Sequence, residues 1–361
     1  VQPLDSPVHT FPLDPWGIRE SGFDTASHFL HETLFALGNG YIGLRGTFEE
    51  GYSGPAGTSL DGTYLNGFYE SEPIVYPETA FGLARTNQFM LNVPNAKGIE
   101  LWLGDERFDP LAGTLGHYER SLDFRTGVLQ RSLEWTSASG KRVAIRSRRV
   151  VPFTHKHLFA IEFEVTPLNF SGPVRLLSTV DGAVQNQQAG DDPRVGSAVS
   201  GPALQTVRVE QDESISALIQ RTHNSGFTLV SAIDSAVQCD APVRLANQRR
   251  GERAGQAFEV DALAGQRIRL TKFGSYYSSR DYPLEELLPR ARATLAQATA
   301  AGFEALCAEQ ARFLADFWDH ADVEILGDDA LQQGIRFNQF HLLQSVGRDG
   351  RTNIAAKGVT G

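Results

Sequence analysis

The sequence predicts a mainly β protein with a separate helical part: a large antiparallel β-sandwich followed by helices. Three observations predict it. Between about residues 127 and 273, apolar and polar residues alternate with period two in run after run. After Tyr282 the apolar residues recur at helical spacing instead. The two patterns do not interleave, so strands and helices are segregated, unlike the alternation of a parallel α/β fold.

The strand runs come in order. Val143 and Ile145 alternate with Arg142, Ala144 and Arg146. Phe159, Ile161, Phe163 and Val165 alternate with Ala160, Glu162 and Glu164. Further runs occupy 174–180, 204–209, 215–219, 227–233 and 267–273. Short turns such as Ser139-Gly140, Asp181-Gly182 and Asn224-Ser225-Gly226 separate them. Half-buried strands at this spacing build an antiparallel sandwich or barrel. With more strands expected in 1–126, two sheets are needed to hold them. The stretch 182–201, rich in Gln, Gly, Asp and Ser, is expected to be a long loop.

Three helices follow. Leu284, Leu287, Leu288, Ala291, Leu295 and Ala298 form one helical face, with Pro289 expected in the first turn. Gly302 interrupts. Phe303, Leu306, Cys307, Phe313, Leu314 and Phe317 make a second stripe, and the short apolar run 323–326 is expected as a strand. Asp328 or Asp329 then caps a third helix. Its Phe337, Phe340, Leu342 and Leu343 surround the axis, so it needs burial on several sides. Alone, it is expected to be exposed, disordered or packed against another chain. The expected division is a sandwich over 1–275, a helical linker over 276–327 and a third unit over 328–361.

Bulk properties narrow the function. A net charge of −10 with no basic stripe argues against nucleic acid and anionic membranes as partners. No apolar run is long enough to span a membrane, and the N-terminus has no signal-peptide pattern. The two cysteines, Cys239 and Cys307, allow one bridge at most and have no metal-binding spacing. Cys307 lies on an apolar helix face and is expected to be a buried free thiol.

The segment 38–54 holds six glycines, three aromatics, Arg45 and the pair Glu49-Glu50. Gly38, Gly40 and Gly43 spell G-x-G-x-x-G, the dinucleotide fingerprint. That fingerprint needs a helix whose N-terminal amides hold a pyrophosphate. Gly46, Gly51 and Gly54 follow, and each costs about 1 kcal/mol inside a helix. The glycines therefore read as strand ends and close backbone approaches, and Asp61 as a loop residue. Arg45 and Glu49 are expected to pair and order the segment.

Catalytic candidates are sparse. Glu49-Glu50, taken as strand residues, would point to opposite faces and could not flank one bond. Asp105-Glu106 has the same geometry, and Asp328-Asp329 sits at a helix start, where carboxylates are ordinary. His155-x-His157 lacks further ligands for a metal. No G-x-S-x-G nucleophile motif occurs.

Several segments together resemble glycoside hydrolase family 65, which contains maltose, trehalose and kojibiose phosphorylases and acid trehalases. They are Leu37-Gly38-Asn39-Gly40-Tyr41-Ile42-Gly43-Leu44-Arg45-Gly46 with Phe48-Glu49-Glu50-Gly51, and Leu122-Asp123-Phe124-Arg125-Thr126-Gly127-Val128-Leu129 with Arg131-Ser132. Ser279-Arg280-Asp281-Tyr282, Gly334-Ile335-Arg336-Phe337-Asn338-Gln339-Phe340 and Asn353-Ile354-Ala355-Ala356-Lys357-Gly358-Val359-Thr360-Gly361 complete the set. The resemblance runs from about residue 13 to the end.

The resemblance implies a galactose-mutarotase-like super-sandwich, a helical linker and an (α/α)6 barrel that holds the active site, with 328–361 contributing the first barrel helix. Twelve barrel helices with their connections need about 250–350 residues. It also implies inverting phosphorolysis: an α-linked glucose disaccharide and phosphate give β-glucose 1-phosphate and glucose. One carboxylic acid protonates the leaving oxygen while phosphate attacks the opposite face. Inorganic phosphate is the co-substrate, with no other cofactor and no metal. No residue here matches the family's catalytic glutamate, so no catalytic residue is assigned and the chain alone is expected to be inactive. Lys357 and Thr360, in the loop that leads toward the family's active site, are the candidate substrate-binding residues; anchoring the loop is the alternative role for Lys357. A homodimer in the cytoplasm is expected, where a phosphorylated product is retained, although the absent initiator Met leaves export open. Two alternatives stand beside this: a trehalase-like hydrolase of the same family, and a non-catalytic sandwich that binds carbohydrate or dimerises.

Overall fold

The computed structural model describes residues 11–74, 81–186, 202, 204–354 and 356–359. Its strands form three antiparallel sheets. The largest has nine strands, ordered Gly17–Ser21, Thr114–Asp123, Val128–Thr136, Arg142–Val150, Leu158–Pro167, Ile268–Ser278, Thr228–Gln238, Ile215–Thr222 and Leu204–Gln211. A five-stranded sheet runs Val243–Arg250, Arg253–Ala262, Gly172–Asp181, Ile99–Leu103 and Glu106–Arg107. A four-stranded sheet runs Leu37–Gly38, Ile42–Leu44, Thr63–Pro73 and Thr86–Asn92. The helices are α1 (His28–Leu34), α2 (Leu284–Ala301), α3 (Phe303–Ala321) and α4 (Asp329–Ser345).

The period-two pattern sets the layers. Ile145, Val165 and Ile268 stand side by side across three neighbouring strands, and Phe163 faces Leu270. All five are buried, each contributing roughly 1.5–3 kcal/mol by leaving water. The five-stranded sheet packs on this inner face through Arg253–Ala262 and Gly172–Asp181, burying Val174, Leu176 and Phe258 in the same core. The outer face of the large sheet is divided. Ala160, Ala232 and Phe273 lie under Leu287, Ala291 and Leu295 of α2 and Phe303 and Leu306 of α3. Beyond the helices the face is ionic, with Arg148 against Glu162 at 2.7 Å and Arg269 against Glu164 at 3.2 Å.

The helical part departs from expectation in three places. Helix α2 starts at Leu284, and Pro289 is its sixth residue, past the first turn. Pro283 supplies the start, and Pro289 leaves one carbonyl without its helical donor. Residues 323–326 form no strand. The side chain of Gln332 takes the N–H of Ile325 at 2.6 Å and the carbonyl of Val323 at 3.0 Å, groups a neighbouring strand would otherwise use. Helix α4, capped by Asp328 through the N–H of Leu331, docks on the sandwich. Phe340 is buried, and the rings of Phe340 and Phe337 lie 5.4 and 6.1 Å from that of Phe124. Leu331 and Leu342 on its other side are exposed. The expected long loop lies outside the described residues from 187 on.

Two buried lysines tie the three sheets together. Lys272 of the large sheet donates to the carbonyls of Gly98 and Thr179 at 2.8 Å, reaching the five-stranded sheet. Lys97 donates to Thr63 Oγ1 at 3.0 Å, reaching the four-stranded one. Burial lowers both ammonium groups from the ordinary range, Lys97 to about 8. Above that pH the unfolded chain holds a proton that the fold has released, so stability rises with pH up to the ordinary lysine range. We expect Lys97→Met to lose its share of that rise, about 2 kcal/mol between about pH 7.5 and about pH 9.5, and to keep the share of Lys272. Urea midpoints at the two pH values check this; equal slopes in wild type and variant would refute it.

Candidate functional site at the glycine-rich seam

The segment 38–54 turns out to be the seam between the sandwich and the C-terminal segment. Its first half meets backbone. Asn39 Oδ1 accepts the N–H groups of Tyr41 and Ile42 at 3.1 and 2.9 Å and so closes a turn around Gly40. Gly40 has φ +84°, and a methyl there would overlap the carbonyl of Val346 just beyond α4. At Gly43 a methyl would overlap the carbonyl of Val359, and at Gly38 it would stand 3.1 Å from Val359 Cγ2. Side-chain-free residues let the strand Ala356–Val359 and the end of α4 lie against this backbone.

Polar groups fix the register. Gly38 N–H donates to Gln344 Oε1 at 2.5 Å, and Gly40 N–H to the Gln344 carbonyl at 2.7 Å. Asn66 Nδ2 donates to the carbonyls of Gly40 and Asn353 at 3.0 and 2.8 Å. Arg348 donates to the Asn39 carbonyl at 2.7 Å. Lys156 pairs with Asp281 at 3.1 Å and Asp349 at 2.9 Å, and lies over the ring of Tyr41. Burial opposes the charge of Asp349. Lys156, the N–H of Arg351 and the hydroxyl of Thr352 outweigh it and hold the carboxyl below its usual range.

The second half of the segment is gripped by arginines of the nine-stranded sheet. Arg149 donates to the carbonyls of Arg45 and Thr47 at 2.9 and 2.8 Å and to Glu49 at 2.5 Å. Arg131 donates to Glu49 at 3.0 Å and to Glu50 at 2.6 Å. Arg120 donates to the Gly46 carbonyl at 2.7 Å and to Glu20. All of these charged side chains are buried. Burial raises Glu49, but Arg149 and Arg131 outweigh it and bring its carboxyl down to about 2. Glu50 goes the other way: burial raises it, Arg131 offsets that only in part, and the charge of Glu49 adds to the rise.

Two sequence expectations are corrected here. Arg45 and Glu49 do not pair: Arg45 reaches Thr33 at 2.7 Å, the Phe29 carbonyl at 2.9 Å and Glu32 at 3.5 Å. Glu49 and Glu50 do not diverge either. They occupy a turn, and both carboxylates converge on Arg131. Their charges are consumed in holding the segment.

Lys357 lies in the strand Ala356–Val359, of which its backbone is described; Thr360 lies outside the described residues. Asp105-Glu106 splits, with Glu106 bound by Lys141, Ser137 and Ser139. His155 pairs with Glu309 at 3.0 Å, whereas His157 is buried and donates to the Tyr276 carbonyl at 2.8 Å. Burial lowers His157 to about 4. Among the described residues no group of His, Cys, Asp and Glu could hold a metal ion, and no helix is long and apolar enough to cross a membrane. Both cysteines are unpaired; Cys307 is half-buried, and burial pushes its thiol up to about 11.

A model of the Glycosyl hydrolase family 65 N-terminal domain matches residues 18–317. An alpha,alpha-trehalose phosphorylase of Thermoanaerobacter brockii is 45% identical over 355 residues, which are 97% of this chain and 45% of that protein. A maltose phosphorylase of Bacillus subtilis (strain 168) is 30% identical, over 97% of this chain and 45% of that protein. The chain thus spans somewhat under half the length of these relatives. The solved structure of a putative kojibiose phosphorylase from human microbiome superposes with a TM-score of 0.86 at 24% identity, covering 97% of this chain and 44% of that one, and so shares the fold. With the domain model matching most of its length, the chain belongs to glycosyl hydrolase family 65.

Proposed function

We propose that the full-length protein is an inverting α-glucosyl disaccharide phosphorylase, with α,α-trehalose as its first substrate to assay. The observation that carries this is the 45% identity to a trehalose phosphorylase across 97% of the chain. Phosphate attacks the anomeric carbon from the face opposite the glycosidic oxygen, which leaves with a proton from a carboxylic acid. Phosphate is already a charged nucleophile, so no second carboxylate is needed to activate it. No residue of the chain is assigned as that acid, since none matches the family's catalytic glutamate and Glu49 and Glu50 are both held by Arg131, and the chain alone is proposed to be inactive. Its contribution is positional: the seam sets the path of the strand that carries Lys357. A cytoplasmic site fits a phosphorylated product.

The full-length protein is expected to release glucose 1-phosphate from trehalose and phosphate, ahead of maltose, kojibiose and nigerose. Glucose release that does not depend on phosphate would overturn this in favour of a hydrolase. Lys357→Ala is expected to raise KM about tenfold or more with little change in thermal midpoint, as loss of a charged hydrogen bond does. Unchanged kinetics would remove Lys357 from the substrate site.

A further inference from the structure

The solvent face of the five-stranded sheet carries a groove of about 660 Å³. Two rows of side chains cross four strands. One row is Trp102, Arg175, Glu259 and Arg244, and the next is Glu100, Leu177, Ala257 and Ala246. The hairpin joining Val243–Arg250 to Arg253–Ala262 adds Arg249, Arg250 and Arg253. Leu177, Ala257 and Ala246 therefore make a small apolar floor between two banks of guanidinium groups.

The charge of this groove runs against the chain. Its lining holds six arginines and two glutamates, in a protein whose net charge is −10. Glu100 is shared by Arg253 at 2.7 Å and Arg107 at 3.4 Å, and Glu259 is taken by Arg244 at 2.7 Å. Among the described residues that leaves Arg175, Arg249 and Arg250 without a paired carboxylate; Arg175 lies 4.8 Å over the ring of Trp102. Arginines on an exposed edge strand guard against unwanted strand pairing. That accounts for Arg244, Arg249 and Arg250 on Val243–Arg250. It does not account for Arg175 and Trp102, which sit on inner strands.

We propose that this groove binds a phosphate monoester, such as a sugar phosphate. The free guanidinium forks match the oxygens of a dianionic phosphate, which can take two of them at once. The apolar floor and the edge of Trp102 suit the body of a sugar ring. The choice of glucose 1-phosphate as probe rests on the reaction proposed above; the groove itself does not.

Calorimetric titration of the full-length protein with glucose 1-phosphate, inorganic phosphate and glucose tests the site. Wild type should bind glucose 1-phosphate in a salt-sensitive event that Arg249→Gln/Arg250→Gln weakens about tenfold or more. Arg175→Gln should weaken the same event, and glucose should not produce it. Any binding at the active site persists in both variants, and turnover measured in parallel decides the proposed reaction separately. Identical glucose 1-phosphate isotherms for wild type and both variants would overturn the proposal. Binding only of a long polyanion, with none of the monoester, would overturn it equally.

Discussion

Arg131→Met is expected to cost about 3–5 kcal/mol of stability, the usual consequence of removing one partner from a buried ion cluster. Arg131 is the cation that both Glu49 and Glu50 contact, at 3.0 and 2.6 Å. Glu49 keeps Arg149, but the buried Glu50 carboxylate loses the one cation that pairs with it among the described residues. The pH dependence distinguishes this from lost packing. In wild type the contribution of Glu49 is present above the ordinary carboxylate range and fades as pH falls toward about 2. In the variant the stranded carboxylates take up protons at higher pH, and protonation removes their uncompensated charge. The deficit should therefore narrow on acidification. Urea titrations near neutral pH and near pH 4 measure it, and a deficit independent of pH would point to packing.

Gly43→Ala has the second large expected effect. The backbone of Gly43 lies in the strand Ile42–Leu44 and has no positive φ, so alanine is tolerated there conformationally. The cost comes from the overlap with the Val359 carbonyl, and a carbonyl cannot turn aside as a flexible side chain can. Overpacking of this kind costs about 1–3 kcal/mol, localised to the docked strand. Hydrogen exchange should show protection lost over 346–359 while the nine-stranded sheet keeps its own. Gly57→Ala is the contrasting control, because Gly57 has φ +84° and open space around it. It should cost about 1 kcal/mol of backbone strain and leave the seam closed. Unchanged exchange in Gly43→Ala would mean that the strand docks by other contacts.

The sandwich was legible because period two is a local signal: Ile145, Phe163 and Val165 announce their inward face within a few residues. Helices α2 and α3 were legible for the same reason, from Leu287, Ala291, Leu295 and Leu306. The seam was not, because its partners are far apart in sequence. Gly43 meets Val359, Gly38 meets Gln344, and Glu49 meets Arg149. A glycine signals that something comes close but not what. One usable clue was present. Arg131 occupies an inward position between Leu129 and Leu133, and an arginine in apolar register demands buried acceptors. That points to a charge network under the glycine-rich segment, although it does not say which carboxylates supply it. The family segments share a location more than a chemistry. Phe124, Arg280, Phe340 and Asn353 all contact the seam or the helix docked on it.

Backbone lying on backbone has a mechanical meaning. Two packed side chains can exchange rotamers and let their elements slide by an ångström or more. A peptide carbonyl held over a residue with no side chain has no such slack. The contact of Gly43 with Val359 therefore behaves as a weld rather than a hinge, and the strand bearing Lys357 takes its heading from the sandwich. A substitution deep in the β core that tilts the strand Ile42–Leu44 would be transmitted to Lys357 almost undamped.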